Sequence, residues 1–195
     1  MTAFTKLGVL GSTKGTDLQA IIDSINQKKL DASVEVVISN ISNAYILERA
    51  ANHKISNYFI SHLSKTREQF DDEISTLLKK YKVDLVLLIG FMRILSAKFC
   101  KELKMRILNV HPSLLPKHAG GMDINVHEEV IKNMEAETGC TIHFVTETVD
   151  GGPILIQKKC SVDIRDTPDL LKKKVQVLEG EAFIEAIKLF QNNDY

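Results

Sequence analysis

The most apolar run of the chain, Val83-Asp84-Leu85-Val86-Leu87-Leu88-Ile89, restricts its fold more than any other feature. Such a run cannot have one face in water, so it predicts a central strand that is buried on both faces. Similar β-branched, apolar runs alternate along the chain with segments of helical period. This alternation predicts an α/β fold, in which a mainly parallel, Rossmann-like sheet carries helices on both faces.

The bounds of the predicted elements follow from these runs and from the turn residues between them. Leu18, Ile21, Ile22 and Ile25 recur at helical spacing, which predicts a first helix capped by Thr16 or Asp17. Further helices are predicted over residues 44–53, 68–81, 124–133 and 167–190, with none assigned between 90 and 106. Strands are predicted over residues 7–10, 34–39, 58–60, 83–89, 107–110, 141–145 and 154–158, the last two as an antiparallel C-terminal pair.

Length and charge narrow the class of protein. The 195 residues can bury a sizeable core, and the chain has no internal repeat or linker, so residues 1–195 are expected to form a single domain. Its 25 basic and 25 acidic residues balance, which argues against nucleic acid or an anionic membrane as a partner. Small-molecule chemistry is therefore the better expectation, and whether the chain forms a homodimer is left open.

The sequence also predicts a cellular location. Its amino terminus lacks the pattern of a signal peptide, and no apolar run is long enough for a membrane helix, so we expect a cytoplasmic protein. Cys100, Cys140 and Cys160 lie far apart, without the paired spacing of a zinc or redox site. We interpret them as reduced thiols that are mostly packed in the interior.

The chemistry of the chain is suggested by Asn109-Val110-His111-Pro112, which follows an apolar run. Side chains two residues apart on a strand point to the same face, so Asn109 and His111 can address one reacting atom. An amide that donates to an oxyanion beside an imidazole that transfers a proton suits acyl-type transfer. The alternative is a histidine that is merely hydrogen-bonded within the core.

Two further segments are candidates for the same site. Asp150 precedes two glycines, and its carboxylate could fold back onto His111, although it could equally be only a turn residue. The loop 11–17 precedes a helix whose free N–H groups favour a phosphate. Its glycine spacing fits neither a dinucleotide fingerprint nor a P-loop, so a simple helix cap is the alternative.

Five motifs make the chain resemble the folate-dependent formyltransferases over nearly its whole length. They are GTDLQAII at 15–22, GFMRIL at 90–95, NVHPSLLP at 109–116, TETVDGGP at 146–153 and QVLE at 176–179. The resemblance implies transfer of a formyl group from the co-substrate 10-formyltetrahydrofolate to the amine of 5-phosphoribosylglycinamide, a step of purine synthesis. It implies no metal.

The same resemblance implies roles for individual residues. Asn109 would polarise the formyl oxygen, His111 would be the general acid, and Asp150 would raise the pKa of His111 by stabilising the imidazolium. The folate would be bound by Arg67, Met92, Arg93, Ile94, Leu95, Asn109, Thr146, Glu147, Thr148, Val149 and Asp150. The ribonucleotide would be bound by Gly15, Thr16, Asp17, Gln176, Val177, Leu178 and Glu179.

The chain departs from the family pattern in two places. The family usually has asparagine where Asp17 stands, and a carboxylate repels phosphate unless a cation such as Lys14 offsets its charge. The segment from Gly120 to His127 looks about two residues longer than in the family, with His127 the candidate for the family's histidine.

Other hypotheses remain beside formyl transfer to the ribonucleotide. The acceptor could be water or an amino sugar nucleotide, or the protein could bind folate without turnover. His111, His143 and Asp150, with His127 nearby, could cluster around a metal, but their spacing matches no known ligand pattern. Ser113 lies close to His111 but lacks the G-x-S-x-G turn of a hydrolase.

Overall fold

The computed structural model describes residues 4–121 and 124–195. Their strands form one sheet in the order β3-β2-β1-β4-β5-β6-β7. Strands β1 to β5 are parallel, whereas β6 runs antiparallel to both β5 and β7. The strands are β1 (Thr5–Gly11), β2 (Ala32–Ser39), β3 (Ser56–Phe59), β4 (Leu85–Ile89), β5 (Ile107–His111), β6 (Glu137–Phe144) and β7 (Ile154–Ser161).

The helices connect these strands across both faces of the sheet. They are α1 (Thr16–Asn26), α2 (Tyr45–Asn52), α3 (Arg67–Lys80), α4 (Ala97–Glu102), α5 (Ile124–Lys132) and α6 (Pro168–Asn192). The sequence analysis missed α4, because six residues are too few to show a helical period. Its start is fixed by Ser96, whose hydroxyl accepts a hydrogen bond from Phe99 N at 3.2 Å.

The predicted α/β fold and its antiparallel C-terminal pair are confirmed. Strand β6 begins earlier than predicted, at Glu137, and Thr138 and Gly139 are buried in the sheet. The sequence pattern did not predict this part of the strand, because neither residue is strongly apolar. Met122 and Asp123, which belong to the segment expected to be longer than in the family, lie outside the described residues.

The central strand β4 explains why this sheet needs helices on both sides. Leu85, Leu87 and Ile89 pack on one face with apolar residues of α1, α2 and α6. Val86 and Leu88 pack on the other face with residues of α3 and α4. Successive residues of this strand thus pack into two separate cores, one on each face of the sheet, as its uninterrupted apolar run requires.

The predicted cap of α1 was wrong. The N-cap is Gly15, which adopts a left-handed conformation with φ 65°, whereas Thr16 and Asp17 belong to the first turn of the helix. A Cβ atom at Gly15 would lie 2.4 Å from Ile46 Cγ1, so only glycine fits the close approach of α2. This geometry directs the N–H groups of α1 towards the carboxyl edge of the sheet, where open α/β sheets bind ligands.

We expect the two-sided burial of β4 to dominate stability. Leu87→Ala should lower the free energy of unfolding by about 2–5 kcal/mol, because it opens a cavity in a fully buried site. Leu63→Ala is the control, since Leu63 is 71% exposed and its truncation should cost less than about 0.5 kcal/mol. Urea unfolding of the two variants measures both values, and equal losses would contradict the assignment of the core.

Candidate active site

His111 is the last residue of β5 and lies at the carboxyl edge of the sheet. Its ring is buried, and each of its nitrogens faces an acceptor. Nε2 donates a hydrogen bond to the backbone oxygen of His118 at 3.0 Å, and Nδ1 lies 3.3 Å from Asp150 Oδ2. A carbonyl oxygen can only accept, so Nε2 carries a proton in the neutral ring, and Asp150 favours a second proton on Nδ1.

Asp150 reaches His111 from the turn that joins β6 to β7. The turn is tight: a Cβ atom at Gly152 would lie 1.7 Å from the backbone oxygen of Phe144. Asp150 itself has φ 51° and accepts a hydrogen bond from Gly120 N at 2.8 Å. The sequence alone left contact between Asp150 and His111 undecided, and the structure brings the two side chains together.

The pKa values of this pair are set by opposing effects. Burial raises the pKa of Asp150, but its contacts with His143, Gly120 N–H and His111 outweigh burial and lower it, so the carboxylate is ionised at neutral pH. For His111, burial is the largest effect and lowers its pKa. Asp150 opposes that shift and raises the pKa, as the resemblance implied, but the net direction is downward because burial is the larger effect.

Asn109 lies two residues before His111 and pairs directly with His143 across β5 and β6. Its Nδ2 lies 3.1 Å from His143 Nε2. On the other side of that ring, Nδ1 donates to the backbone oxygen of Phe144 at 3.0 Å. Nε2 of His143 also lies 3.5 Å from Asp150 Oδ1, so one imidazole contacts both the amide and the carboxylate.

These side chains line one end of a cavity of about 890 Å³. A volume of this order fits a sizeable ligand. The cavity extends from β5 towards both α1 and the loop after β4, and it includes every residue predicted from the resemblance except two. Its predicted members are Gly15, Thr16, Asp17, Arg67, Met92, Arg93, Ile94, Leu95, Asn109, His111, Thr146, Glu147, Thr148, Val149, Asp150, Gln176 and Glu179.

The two exceptions, Val177 and Leu178, are not brought to the cavity. On a helix, residues three apart share a face, so Gln176 and Glu179 point together whereas the two residues between them do not. Val177 is 64% exposed, and Leu178 packs against the core.

The loop after β4 forms an apolar and cationic part of the cavity. Met92 N donates to Ser12 Oγ at 2.9 Å, which ties this loop to the loop after β1. The guanidinium of Arg93 lies 4.9 Å from the centre of the Phe70 ring, a cation–π contact. Arg67 lines the same region at the first residue of α3, so two cations face this part of the cavity.

Asp17 is an unusual group in the first turn of α1. It is 5% exposed, its Oδ1 has no hydrogen-bond partner in the described residues, and burial raises its pKa to about 7. The offset by Lys14 that the sequence suggested does not contribute to this shift. Burial raises the pKa of the Cys140 thiol, and the carboxylates of Glu179 and Asp17 add to that effect.

Sequence reasoning missed the roles of two histidines in holding this site. His143 was considered only as a metal ligand, although its place opposite Asn109 follows once β5 and β6 are paired antiparallel. His118 carried no signal, because its contacts with His111, Glu129 and Glu135 depend on how the chain turns after β5. His127, noted from the sequence, is buried beside the cavity.

Across residues 4–121 and 124–195, no three of the His, Cys, Asp and Glu side chains are grouped so that they could hold a metal ion. Within the same ranges, no helix combines the length and apolar character needed to cross a bilayer.

Comparison with known proteins identifies the family. The family model described as formyl transferase matches residues 5–187. The chain belongs to the formyl transferase family. It is 39% identical over 183 residues to the phosphoribosylglycinamide formyltransferase of Escherichia coli (strain K12), covering 93% of this chain and 85% of that protein.

This formyl transferase chain is also similar to a longer purine biosynthetic protein and to a solved structure. It is 39% identical over 185 residues to the trifunctional purine biosynthetic protein adenosine-3 of Homo sapiens, covering 94% of this chain but 18% of that protein's length. The crystal structure of glycinamide ribonucleotide transformylase 1 from Symbiobacterium toebii superposes with a TM-score of 0.92 and 36% identity. That match covers 97% of this chain and 89% of the other.

The buried carboxyl of Asp17 predicts a pH-dependent stability. Because its folded pKa lies near 7 and its unfolded pKa near 3.8, the folded state loses stability as pH rises from about 4 through 7. Asp17→Asn should remove that loss and gain ~2–3 kcal/mol over the wild type between pH 5 and pH 8. Urea unfolding at both pH values measures the gain.

Asp23→Asn is the matched control, since Asp23 lies on the same helix but is exposed. Its stability difference from the wild type should change little between the two pH values. Equal behaviour of the two variants would contradict a protonated Asp17.

Proposed function

We propose that this protein is a phosphoribosylglycinamide formyltransferase. It would transfer the formyl group of 10-formyltetrahydrofolate to the amine of 5-phosphoribosylglycinamide, a step of purine biosynthesis. The observation that carries the proposal is that Asn109, His111 and Asp150 all line one cavity of about 890 Å³, with His111 Nδ1 lying 3.3 Å from Asp150 Oδ2. The names of the Escherichia coli and Symbiobacterium relatives support the choice of reaction.

The folate would occupy the side of the cavity formed by the loop after β4. Met92, Ile94 and Leu95 offer apolar surface there, and residues 146–150 line the same cavity. Arg67 and Arg93 supply positive charge for the carboxylate end of the folate. This arrangement would leave the formyl group beside β5.

The ribonucleotide would occupy the other side, between α1 and α6. The N–H groups of the first turn of α1, which begins after Gly15, favour a phosphate. Glu179 lines the cavity from α6 and is suited to accept hydrogen bonds from ribose hydroxyls. Asp17 at this end would be compatible with a phosphate in its protonated form, which its raised pKa of about 7 favours.

The proton path of the proposed reaction follows from the lowered pKa of His111. The amine attacks the formyl carbon, a C–N bond forms, and the nitrogen becomes more acidic. A largely neutral His111 can take that proton, and Asp150 at 3.3 Å stabilises the imidazolium that results. His111 then acts as the general acid and passes that proton to the folate nitrogen as the C–N bond to it breaks.

Asn109 would stabilise the oxyanion that forms on the formyl group. One Nδ2–H of Asn109 is directed at His143 Nε2 and the other is left to donate into the cavity. A preorganised donor of this kind is worth on the order of 10²–10³-fold in turnover. Direct transfer between two small molecules needs no metal, and that expectation stays a prediction.

Hydrolysis is the second candidate, with water in place of the amine. The phosphate-suited N-terminus of α1 and the acidic Glu179 in the same cavity favour a phosphorylated ribose as acceptor. The cytoplasmic location and the absence of nucleic-acid and membrane partners remain predictions from the sequence, and whether the chain forms a homodimer stays open.

The decisive assay measures tetrahydrofolate formation by its absorbance change, with 5-phosphoribosylglycinamide present or omitted. We expect turnover only when the ribonucleotide is present, because its amine is the nucleophile. Equal turnover without it would show hydrolysis, and folate binding without turnover would show a binding protein. Either result would overturn the proposal.

His111→Ala tests the assigned acid in the same assay. It should lower kcat by about 10²–10⁴-fold and leave the Kd for folate nearly unchanged, because the folate is bound mainly by other residues. His53→Ala is the control, since His53 is exposed and lies outside the cavity. Full activity of the His111 variant would remove it from the mechanism.

A further inference from the structure

The turn after β5 is held by an arrangement that neither the family motifs nor the proposed chemistry includes. His118 lies in this turn with its side chain 9% exposed. Its Nδ1 lies 2.9 Å from Glu129 Oε2 of α5, and its Nε2 lies 2.6 Å from Glu135 Oε1 just after that helix. Both ring nitrogens therefore face carboxylates, which is the arrangement of a doubly protonated imidazole.

The same turn supplies the backbone groups that contact the candidate catalytic pair. The oxygen of His118 accepts from His111 Nε2 at 3.0 Å, and Gly120 N donates to Asp150 Oδ2 at 2.8 Å. The turn that holds the His118 side chain thus makes two backbone contacts, one from the His118 oxygen to the His111 imidazole and one from Gly120 N to the Asp150 carboxylate. A change in the turn would move both contacts at once.

The contacts of the His118 ring with Glu129 and Glu135, which we call the clamp, stabilise a turn whose backbone conformation is unfavourable on its own. His118 has φ 57°, the left-handed region that residues other than glycine rarely adopt. Ala119 N and Gly121 N close the turn by donating to the oxygens of Pro116 and His118. The two ion pairs of the His118 ring tie this strained segment to the end of α5.

We propose that His118 is a positioning residue, which as an imidazolium clamped between Glu129 and Glu135 holds the turn that sets His111 and Asp150 in place. The inference rests on the proposed formyl transfer for its effect on rate. Its effect on the structure of the turn does not depend on that function.

The charges around His118 decide over which pH range the clamp is present. Burial lowers the pKa of His118, but its hydrogen bonds to Glu129 and Glu135 and their charges outweigh burial and raise it. Lys117 pairs with Glu135 from the same turn at 2.9 Å, and His111 faces the clamp from β5. The clamp is therefore complete below the ordinary pKa of histidine and is lost as pH rises through the raised value.

Two substitutions of His118 separate the effect of its charge from the effect of its size. His118→Gln removes the cation and should lower kcat by about 10- to 100-fold, because small displacements of reacting groups are costly. The KM values for both substrates should stay within about threefold, since His118 is not among the residues that line the cavity. His118→Arg keeps a permanent cation with a fork of donors, and should recover most of kcat and keep it at higher pH than the wild type.

Hydrogen exchange of the Gly120 amide gives a readout that does not depend on activity. In the wild type this amide should be protected, and the protection should fall as pH rises through the pKa of His118, after correction for intrinsic exchange. In His118→Gln it should exchange about tenfold faster than in the wild type below the pKa of His118, and the two rates should converge above it. If the wild type has no transfer activity, the proposed function fails while this measurement still tests the clamp.

Lys117→Gln is the matched control, because it removes a cation that pairs with the same Glu135 from an exposed position in the same turn. It should leave kcat and Gly120 protection near wild-type values. The proposal is overturned if His118→Gln keeps the wild-type kcat and Gly120 protection, or if His118→Arg is as impaired as His118→Gln.

Discussion

The ring of His111 lies between a carboxylate and a backbone carbonyl, and the surrounding loops are arranged to keep it there. Asp150 approaches from the turn between β6 and β7, whereas the His118 oxygen approaches from the turn after β5. The two turns are joined by the hydrogen bond from Gly120 N to Asp150. The strand end, the two turns and α5 therefore form one connected unit at the carboxyl edge of the sheet.

Burial and nearby charges have opposite effects on the pKa values of the groups in this unit. Burial lowers the pKa of His111, and Asp150 limits that decrease without reversing it. The result is a histidine that can accept a proton and, once charged, is stabilised in place. At the far end of the cavity burial acts on an acid instead, and the pKa of Asp17 rises to about 7. The cavity thus contains a histidine whose pKa is lowered by burial and a carboxyl whose pKa is raised by burial.

The sequence predicted the layers of the fold well, because residues such as Leu87 must be buried whichever helix covers them. It also predicted that Asn109 and His111 would share a face, since a strand fixes that relation. It could not predict the cap at Gly15, which depends on the close approach of Ile46. Nor could it predict the net pKa of His111 or the clamp on His118, since depth of burial and long-range turn contacts have no local pattern.

The most direct test of this account is the pKa of His111, measured by NMR titration in the wild type and in Asp150→Asn. The account predicts a value below 6.5 in the wild type, because burial outweighs the carboxylate. It predicts a still lower value in the variant, because the carboxylate is the largest effect that opposes burial. A wild-type value above 6.5, or a value that does not change in Asp150→Asn, would contradict it.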